Sequence, residues 1–462
     1  MFEMAYGKLH SNPGDITPGI NPTTLDGLSE KWIEKTVISL KNEFFKFLLG
    51  RRVNIPKPRG DSRPLTVISS RDKIVMEVMR LILEAVYKPT FSPNSHGFRS
   101  GKSCHPALRC IREKFGVANW YIEGDIEKCF DSISHHRLII LIELKILDRK
   151  FTRLVWKSLR AGYFEFKTYQ NSIIRTPPGS VISPILANIY MDQLDKYVEE
   201  LITEFNKGIS TIRGKEYSQF NKRLNYLRKR GTLLKKDMRK LASQMRKCNS
   251  RNPFDSNFRR LVYVRYSDDW ILGVCGSRKE TFTIKEKIDH FLKEKMDLIL
   301  AKNKTLITHA STGKTFFLRI YIFKARHQIT RRSNKSQIIR NFKDVRLKAP
   351  IQYVIAKLTK ANFVRKKKAG PRFIWLQCSL DQIIVLYNNA LRGYTNYYSF
   401  VNNQAAFFTY IYYLLKSFCA KLIATKYKLN SQRKVFIKYG KNLIVNKEKN
   451  LKFYKPSYKV QQ

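Results

Sequence analysis

Leu261-Val-Tyr-Val-Arg-Tyr-Ser-Asp-Asp-Trp-Ile-Leu-Gly-Val274 sets two β-prone apolar runs on either side of a Ser-Asp-Asp centre. Such runs broken by turn formers predict a hairpin with Asp268 and Asp269 at its tip. Adjacent acids at a tip are usually turn residues. A second segment shifts that balance. In Asn119-Trp-Tyr-Ile-Glu-Gly-Asp-Ile-Glu-Lys-Cys-Phe-Asp131 a short apolar run ends at Asp125, and a helical pattern follows from about Phe130 to Leu144. A carboxylate at a strand end beside a carboxylate pair at a hairpin tip is the donor set that two-metal phosphoryl transfer requires. Mg2+ takes hard oxygen ligands, and two ions about 3.5–4 Å apart serve the attacking and the leaving oxygen.

The rest of the chain supports a phosphate-rich partner. Of 462 residues, 88 are Lys or Arg and 36 are Asp or Glu, a formal charge of +52. An excess of that size repels itself in the folded state, and a polyanion offsets it, with nucleic acid the first choice and an anionic membrane the second. An ordinary small-molecule enzyme has no use for it. The longest apolar runs, such as Leu138 to Ile142 or Phe407 to Leu415, are short of the ~18–20 residues of a membrane span, so no membrane partner is expected. Seven cysteines without a Cys-x-x-Cys pair argue for a reducing compartment and against a zinc module. Met1 to His10 has no apolar signal core.

Residues 11–30 are rich in turn formers and lead into a helical pattern through Leu49. An extended basic ribbon is expected over 51–68, and apolar residues at 74, 75, 78, 79, 82, 83 and 86 mark one face of a helix. Residues 200–260 form a Lys/Arg-rich insertion, which as charge alone is a solvated helical surface. After Ile320 the composition changes: 30 Lys or Arg stand against Asp344, Asp381 and Glu448, which puts more than half of the charge excess in under a third of the chain. Helices are expected over Leu380 to Leu391 and Ala405 to Tyr427, interleaved with Tyr394, Tyr397, Tyr398, Phe400, Tyr410, Tyr412 and Tyr413. Rings beside cations can stack on unpaired bases. Any single ring is more often core.

Asp125 with Phe130, Tyr266-Ser-Asp-Asp269, and Pro177-Pro-Gly-Ser-Val-Ile-Ser-Pro-Ile-Leu-Ala-Asn188 together resemble the ordered motifs of a group II intron maturase-reverse transcriptase. Asn12-Pro-Gly-Asp-Ile-Thr-Pro-Gly19, Arg63-Pro-Leu65, Ser95-His-Gly-Phe-Arg-Ser-Gly-Lys-Ser-Cys-His105 and Leu391-Arg-Gly-Tyr-Thr-Asn-Tyr-Tyr-Ser-Phe400 extend the likeness, in order, over almost the whole chain. The resemblance implies an α+β, right-hand polymerase fold, with fingers and palm built on antiparallel sheet, then a helical thumb and domain X. Its boundaries would be an N-terminal block at 1–50, fingers and palm at 51–322 with the insertion at about 200–260, thumb and domain X at 323–445, and a short basic tail at 446–462.

The resemblance implies Mg2+ held by Asp125, Asp268 and Asp269. It makes Phe130 the gate against a ribose 2′-hydroxyl, Lys57 and Arg63 the cations on the incoming triphosphate, Gly179 a nucleotide contact, and Lys304 the proton donor to pyrophosphate. It makes Arg392, Tyr394, Tyr397 and Tyr398 RNA contacts. The implied partners are group II intron RNA, an RNA template with a DNA or RNA primer, and dNTPs. With only 17 residues after Val445, and no His or Cys among them, no endonuclease domain is expected.

Three residues depart from the family pattern: Ser267 where Ala is usual, Pro178 where Gln precedes the glycine, and Arg319 where the primer-grip turn usually has Gly. The expected function is splicing of the host intron together with RNA-directed DNA synthesis, the alternative being a splicing-only maturase with a degenerate polymerase site. A reverse transcriptase without an intron partner is a third reading, which leaves the domain X signature without a purpose. The abundance of Lys, Ile, Asn, Tyr and Phe points to an AT-rich genome, hence to a mitochondrion, with a plastid or a bacterial cytoplasm as alternatives.

Overall fold

The computed structural model describes residues 1–11, 19–21, 23–26, 28–56, 62–161, 163–165, 168–170, 180–230, 235–248, 250–252, 255–325, 329–332, 338–341, 345–361, 364–365, 368–369, 373–445 and 451–457. They divide into two compact units, one ending at Ala310 and the other beginning at Ser311. The division falls shortly before the change in composition after Ile320. Helices and sheets are mixed in both units, in keeping with the α+β class.

The first unit opens with α1 (Phe2–His10) and α2 (Glu30–Lys41). Ser29 caps α2 by accepting from the Trp32 amide, and the helix stops at Lys41 rather than running to Leu49. Glu43 takes a φ of 61°, which no helix accommodates, and Phe45 and Phe47 turn in against the core instead. The ribbon expected over 51–68 is a hairpin of β1 (Gly50–Pro56) and β2 (Ser62–Val67), with Arg51 opposite Val67. Helix α3 (Ser70–Tyr87) buries Ile74, Val75, Met79 and Leu83 on the expected face, while Val86 is exposed.

After α4 (Cys104–Lys114) comes β3 (Trp120–Gly124), then a short α5 (Cys129–Ser132) and α6 (His135–Glu143). The helix expected from 130 to 144 is thus two: Ile133 and Ser134 are extended, and the Ser134 side chain accepts from the Arg137 amide to start α6. Helix α7 (Arg149–Arg160) is capped by Asp148, and β4 (Tyr163–Glu165) joins β1 in parallel with β5 (Thr168–Gln170) beyond it. Helix α8 (Ser183–Phe205) begins with Pro184, whose missing N–H is no loss in a first turn. The basic insertion holds α9 (Lys215–Arg230) and α10 (Lys235–Lys247).

The expected hairpin is β6 (Arg260–Tyr266) and β7 (Asp269–Cys275), followed by α11 (Arg278–Met296) and β8 (Leu306–His309). Ser277 and Glu280 form a reciprocal capping box at the start of α11. The sheet is antiparallel in the order β6-β7-β3-β8, with Ile122 between Leu272 and Ile307. Its inner face packs Ile122, Tyr263 and Leu272 against Leu186, Tyr190, Leu194 and Val198 of α8 and Ile284, Ile288 and Leu292 of α11. Each such side chain contributes about 1.5–3 kcal/mol on burial, enough for the layers to hold the sheet ends rigidly.

In the second unit β9 (Thr315–Phe317) and β10 (Ile320–Lys324) form a tight hairpin. β11 (Ile329–Arg332) pairs with β12 (Ile338–Asn341), and β13 (Val345–Lys348) pairs with β10. Helices α12 (Ile351–Lys360), α13 (Leu380–Tyr397), α14 (Gln404–Lys426) and α15 (Gln432–Tyr439) follow. Ser379 and Gln382 cap α13 reciprocally, and the turn into α14 is tied to β13 by Leu347 N–H donating to Asn402 Oδ1 at 2.7 Å. By length and composition α14 is apolar enough to cross a bilayer, which the run Phe407 to Leu415 understated. Phe407, Ile411, Leu415, Phe418 and Leu422 nevertheless pack inside this unit, where a core helix of this length needs them.

Candidate active site

Tyr266 pairs with Asp269 across the β6–β7 hairpin, leaving Ser267 and Asp268 as a two-residue loop. Ser267 has a φ of 61°, and a positive φ at the first loop position is the pattern of a type II′ turn, where glycine is usual. Two features hold Ser267 there. Arg265 Nη1–H donates to the Ser267 carbonyl at 2.8 Å. Gly97 lies flat against the turn, so close that a Cβ on it would stand 2.3 Å from the Ser267 nitrogen.

Arg265 is completely buried. It makes a two-pronged ion pair with Asp195 of α8, at 2.7 and 2.6 Å, and donates to Ser95 Oγ at 2.9 Å and Asn188 Oδ1 at 3.3 Å. Tyr263 Oη also donates to Asp195, and Asn188 Nδ2 donates to the Gly97 carbonyl at 2.9 Å. The proximity of Asp195 and its hydrogen bonds hold the Arg265 guanidinium firmly protonated despite the burial. Segments from three distant parts of the sequence therefore meet behind the Ser267-Asp268 loop.

Asp125 follows the end of β3, and its carbonyl accepts from the Ala301 amide at 2.9 Å. The same Ala301 carbonyl accepts from the Lys304 and Thr305 amides, a tight turn that brings Lys304 to Asp125. Lys304 Nζ is paired with Asp125 Oδ2; the lysine is largely exposed and the carboxylate nearly buried. Asp269 lies beside both: its carboxyl is pushed up to about 7, first by burial and then by the negative charges of Asp268 and Asp125, with Lys304 pulling the other way. Lys304 in turn is held above its ordinary value by its hydrogen bond to Asp125 and by all three acids. Three carboxylates thus share one electrostatic environment with the Lys304 ammonium. Among the described residues no three His, Cys, Asp or Glu side chains converge closely enough to enclose a metal unaided. Mg2+ seldom uses an all-protein cage: it takes one or two carboxylates and completes its shell with water and substrate phosphates. The donor set fits such an ion.

Phe130 sits on α5, half-buried, with the ring of Phe98 edge-on to it. Of the expected triphosphate cations, Arg63 belongs to β2 by its backbone, while its side chain, like all of Lys57, lies outside the described residues. Pro178 and Gly179 also lie outside them.

The expected RNA contacts of the second unit separate by environment. Arg392 is exposed, its guanidinium 5.1 Å above the ring of Tyr454. Tyr394 is half-buried. Tyr398 is 3% exposed, its ring packed on Phe407, so it cannot stack on a base and is a core residue. Tyr397 and Tyr398 instead brace a turn, their hydroxyls donating to the carbonyls of Leu318 at 2.7 Å and Arg319 at 3.3 Å. Those two residues are the loop of the β9–β10 hairpin, with φ of 46° and 58°. Both positive values mark a type I′ turn, so Arg319 adopts the conformation its missing glycine would have made easy, with two tyrosines fixing the carbonyls. Tyr410 and Tyr413 remain 42% and 64% exposed and are the rings of α14 open to a partner.

Residues 55–214 match the family described as reverse transcriptase (RNA-dependent DNA polymerase), and residues 342–460 match the type II intron maturase family. The group II intron-encoded protein LtrA of Lactococcus lactis is 36% identical over 440 residues, covering 93% of this chain and 73% of LtrA. This chain belongs to the group II intron maturase-reverse transcriptase family. An uncharacterized 91 kDa protein in a cob intron of Schizosaccharomyces pombe is 42% identical, covering 100% of this chain and 58% of that protein. The uncharacterized mitochondrial protein ymf11 of Marchantia polymorpha is 28% identical, covering 86% of this chain and 59% of its own length. The chain thus spans little more than half the length of the last two relatives.

In this member of the family the residues that sequence reading passed over are the polar ones behind the acids: Arg265, Asp195, Asn188 and Ser95. A signal existed. Asn188, Asp192 and Asp195 recur at the i, i+4, i+7 spacing of one helical face among the apolar residues of α8, and polar groups on a buried face require partners.

Proposed function

We propose that this chain binds its host group II intron RNA and promotes its splicing, and that it also copies RNA into DNA at the acid cluster. The observation that carries the polymerase reading is the shared environment of Asp125, Asp268 and Asp269, with Lys304 as their neighbouring cation. In this reading residues 51–322 supply fingers and palm, and residues 323–445 supply thumb and domain X. Asp125 and the Asp268–Asp269 pair would hold Mg2+, which when bound eases ionisation of a primer 3′-hydroxyl and offsets charge on the phosphate under attack. Arg265 and Gly97 keep the Ser267-Asp268 loop in place, so the acids need no reorganisation when substrate arrives. Lys304, largely exposed and paired with Asp125, would be the cation placed to hold or protonate the departing pyrophosphate. Phe130 stands as the steric gate to the ribose, and Lys57, Arg63 and Gly179 as contacts to the nucleotide.

The β9–β10 hairpin is the primer grip of this reading. Its turn geometry, kept without glycine and braced by Tyr397 and Tyr398, favours a working polymerase over the splicing-only alternative. Intron binding falls to the basic faces, with Arg392, Tyr394 and the exposed rings of α14 as contacts in the second unit. The intron RNA performs the splicing chemistry, and the protein contributes binding energy. A mitochondrial location is supported by the AT-rich residue usage and by the Marchantia relative named as mitochondrial; the likeness to LtrA keeps a bacterial origin as the alternative.

The test of the splicing half separates it from synthesis. Asp268→Asn with Asp269→Asn should promote intron splicing at low Mg2+ as well as wild type does, while primer extension on RNA is lost. A folded, RNA-bound double variant that fails to promote splicing would refute the division of labour.

A further inference from the structure

Phe98 combines three properties that rarely coincide. Its φ is 52°, a conformation that costs a bulky side chain energy. It is 56% exposed, so burial in the core does not offset that cost. Its backbone is nonetheless held on both sides. His96 N–H donates to the Arg265 carbonyl at 2.9 Å, and Arg265 N–H donates to the Asn94 carbonyl at 3.0 Å, which lays this loop along β6. Asn188 fixes the Gly97 carbonyl, and Arg99 Nη1–H donates to the carbonyls of Ser92 and Ser95. Strain kept by the surroundings and left uncompensated by packing is a mark of a site whose partner is a ligand.

The ring of Phe98 has one aromatic neighbour that matters here: Phe130, at 6.5 Å between centroids and 78° between planes. That edge-to-face arrangement is the attractive one for two phenyl rings, and it restrains both. We propose that Phe98 is a positioning residue for nucleotide selection, its ring bracing Phe130 so that the gate does not yield to a ribose 2′-hydroxyl. The inference rests on the polymerase reading above, in which Phe130 meets the sugar. A gate discriminates only as well as it resists displacement. Phe130 is on a helix of a single turn, preceded by Lys128 at a φ of 47°, and such a short element is a weak anchor without an external brace.

The experiment is single-nucleotide incorporation by the full chain on a primed RNA template, comparing kcat/KM for a dNTP and the matching rNTP. Phe98→Gly removes the ring and suits the positive φ, so its melting temperature should be no lower than that of wild type. Its dNTP-over-rNTP preference should fall by about threefold to tenfold, the range an aromatic pair is worth. Phe98→Asn, which also tolerates this φ, should behave likewise, and Phe98→Tyr should keep the preference. A purely structural role would alter melting or synthesis with either substrate and leave the ratio untouched. Normal synthesis with an unchanged ratio in both ringless variants would overturn the role of Phe98 and leave the polymerase reading standing. Absence of any dNTP incorporation by wild type would overturn that reading and this inference with it.

Discussion

Asp195→Asn should destabilise the first unit far more than a single hydrogen-bond change suggests. The substitution keeps the shape of the side chain but removes the only carboxylate on Arg265 among the described contacts, in a site where the guanidinium is wholly buried. Breaking a buried pair from one side costs about 3–5 kcal/mol, because an uncompensated charge stays in a low-dielectric interior. For a unit of about 300 residues, an unfolding entropy of roughly 2.1 cal/mol/K per residue converts this to a drop of about 5–8 °C in its melting transition. Replacing both partners, Arg265→Met with Asp195→Leu, should recover part of that loss, since an apolar pair avoids the unpaired charge while Tyr263, Ser95 and Asn188 still lose hydrogen bonds. Activity should not recover with it. The hydrogen bond from Arg265 to the Ser267 carbonyl is still missing, and a charge-assisted bond of about 1.5–3 kcal/mol at the loop that carries Asp268 corresponds to roughly tenfold to a hundredfold in primer extension. Thermal melting and extension assays at 25 °C separate the two effects. A single variant melting within 1 °C of wild type would refute the buried-charge argument, and a stable double variant with full activity would refute the positioning role.

Removing both tyrosine hydroxyls, by Tyr397→Phe with Tyr398→Phe, should cost the second unit about 1–3 kcal/mol, and Leu318→Asn with Arg319→Gly, the residues a type I′ turn prefers, should restore it in thermal melting. His96 is buried and its imidazole is pushed down to about 4, first by burial and then by Lys102, Arg99 and Lys114. The unfolded chain takes up that proton near pH 6.5, so the stability it contributes is present above about 6.5 and is lost as pH falls toward 4; His96→Gln should flatten this limb of a stability-against-pH curve. Arg392→Ala with Tyr394→Ala should weaken intron binding and splicing while melting near wild type, because Arg392 is exposed and Tyr394 half-buried, as gel-shift and splicing assays would measure.

The acids were legible because chemistry and secondary structure coincide at them: a period-two pattern broken at Ser267, and an apolar run ending at Asp125, each point to a strand end. The supporting frame was not. Arg265 sits in a strand whose pattern says only that alternate residues are buried, and no local rule pairs it with Asp195, 70 residues away on a helix. The tyrosines of the maturase signature illustrate the opposite limit. Composition marks them as rings among cations, but whether a ring meets a base or a Phe is decided by which side of α13 faces α14. Tyr398, which caps α13, is packed on Phe407 of α14. Helix ends were misplaced where one backbone angle overrides propensity, as at Glu43. The split between α5 and α6 needed Ser134 to act as a cap, which its sequence neighbours do not require.

The claim that most needs testing is that Asp125, Asp268 and Asp269 form a working metal site. The direct measurement is primer extension on an annealed RNA template with purified full chain, with Mg2+ and with Mg2+ chelated, for wild type and for Asp125→Asn and Asp268→Asn. The account predicts extension by wild type that stops on chelation, no extension by either variant, and nearly unchanged RNA affinity for both. Equal synthesis by the variants, or synthesis that persists after chelation, would contradict it.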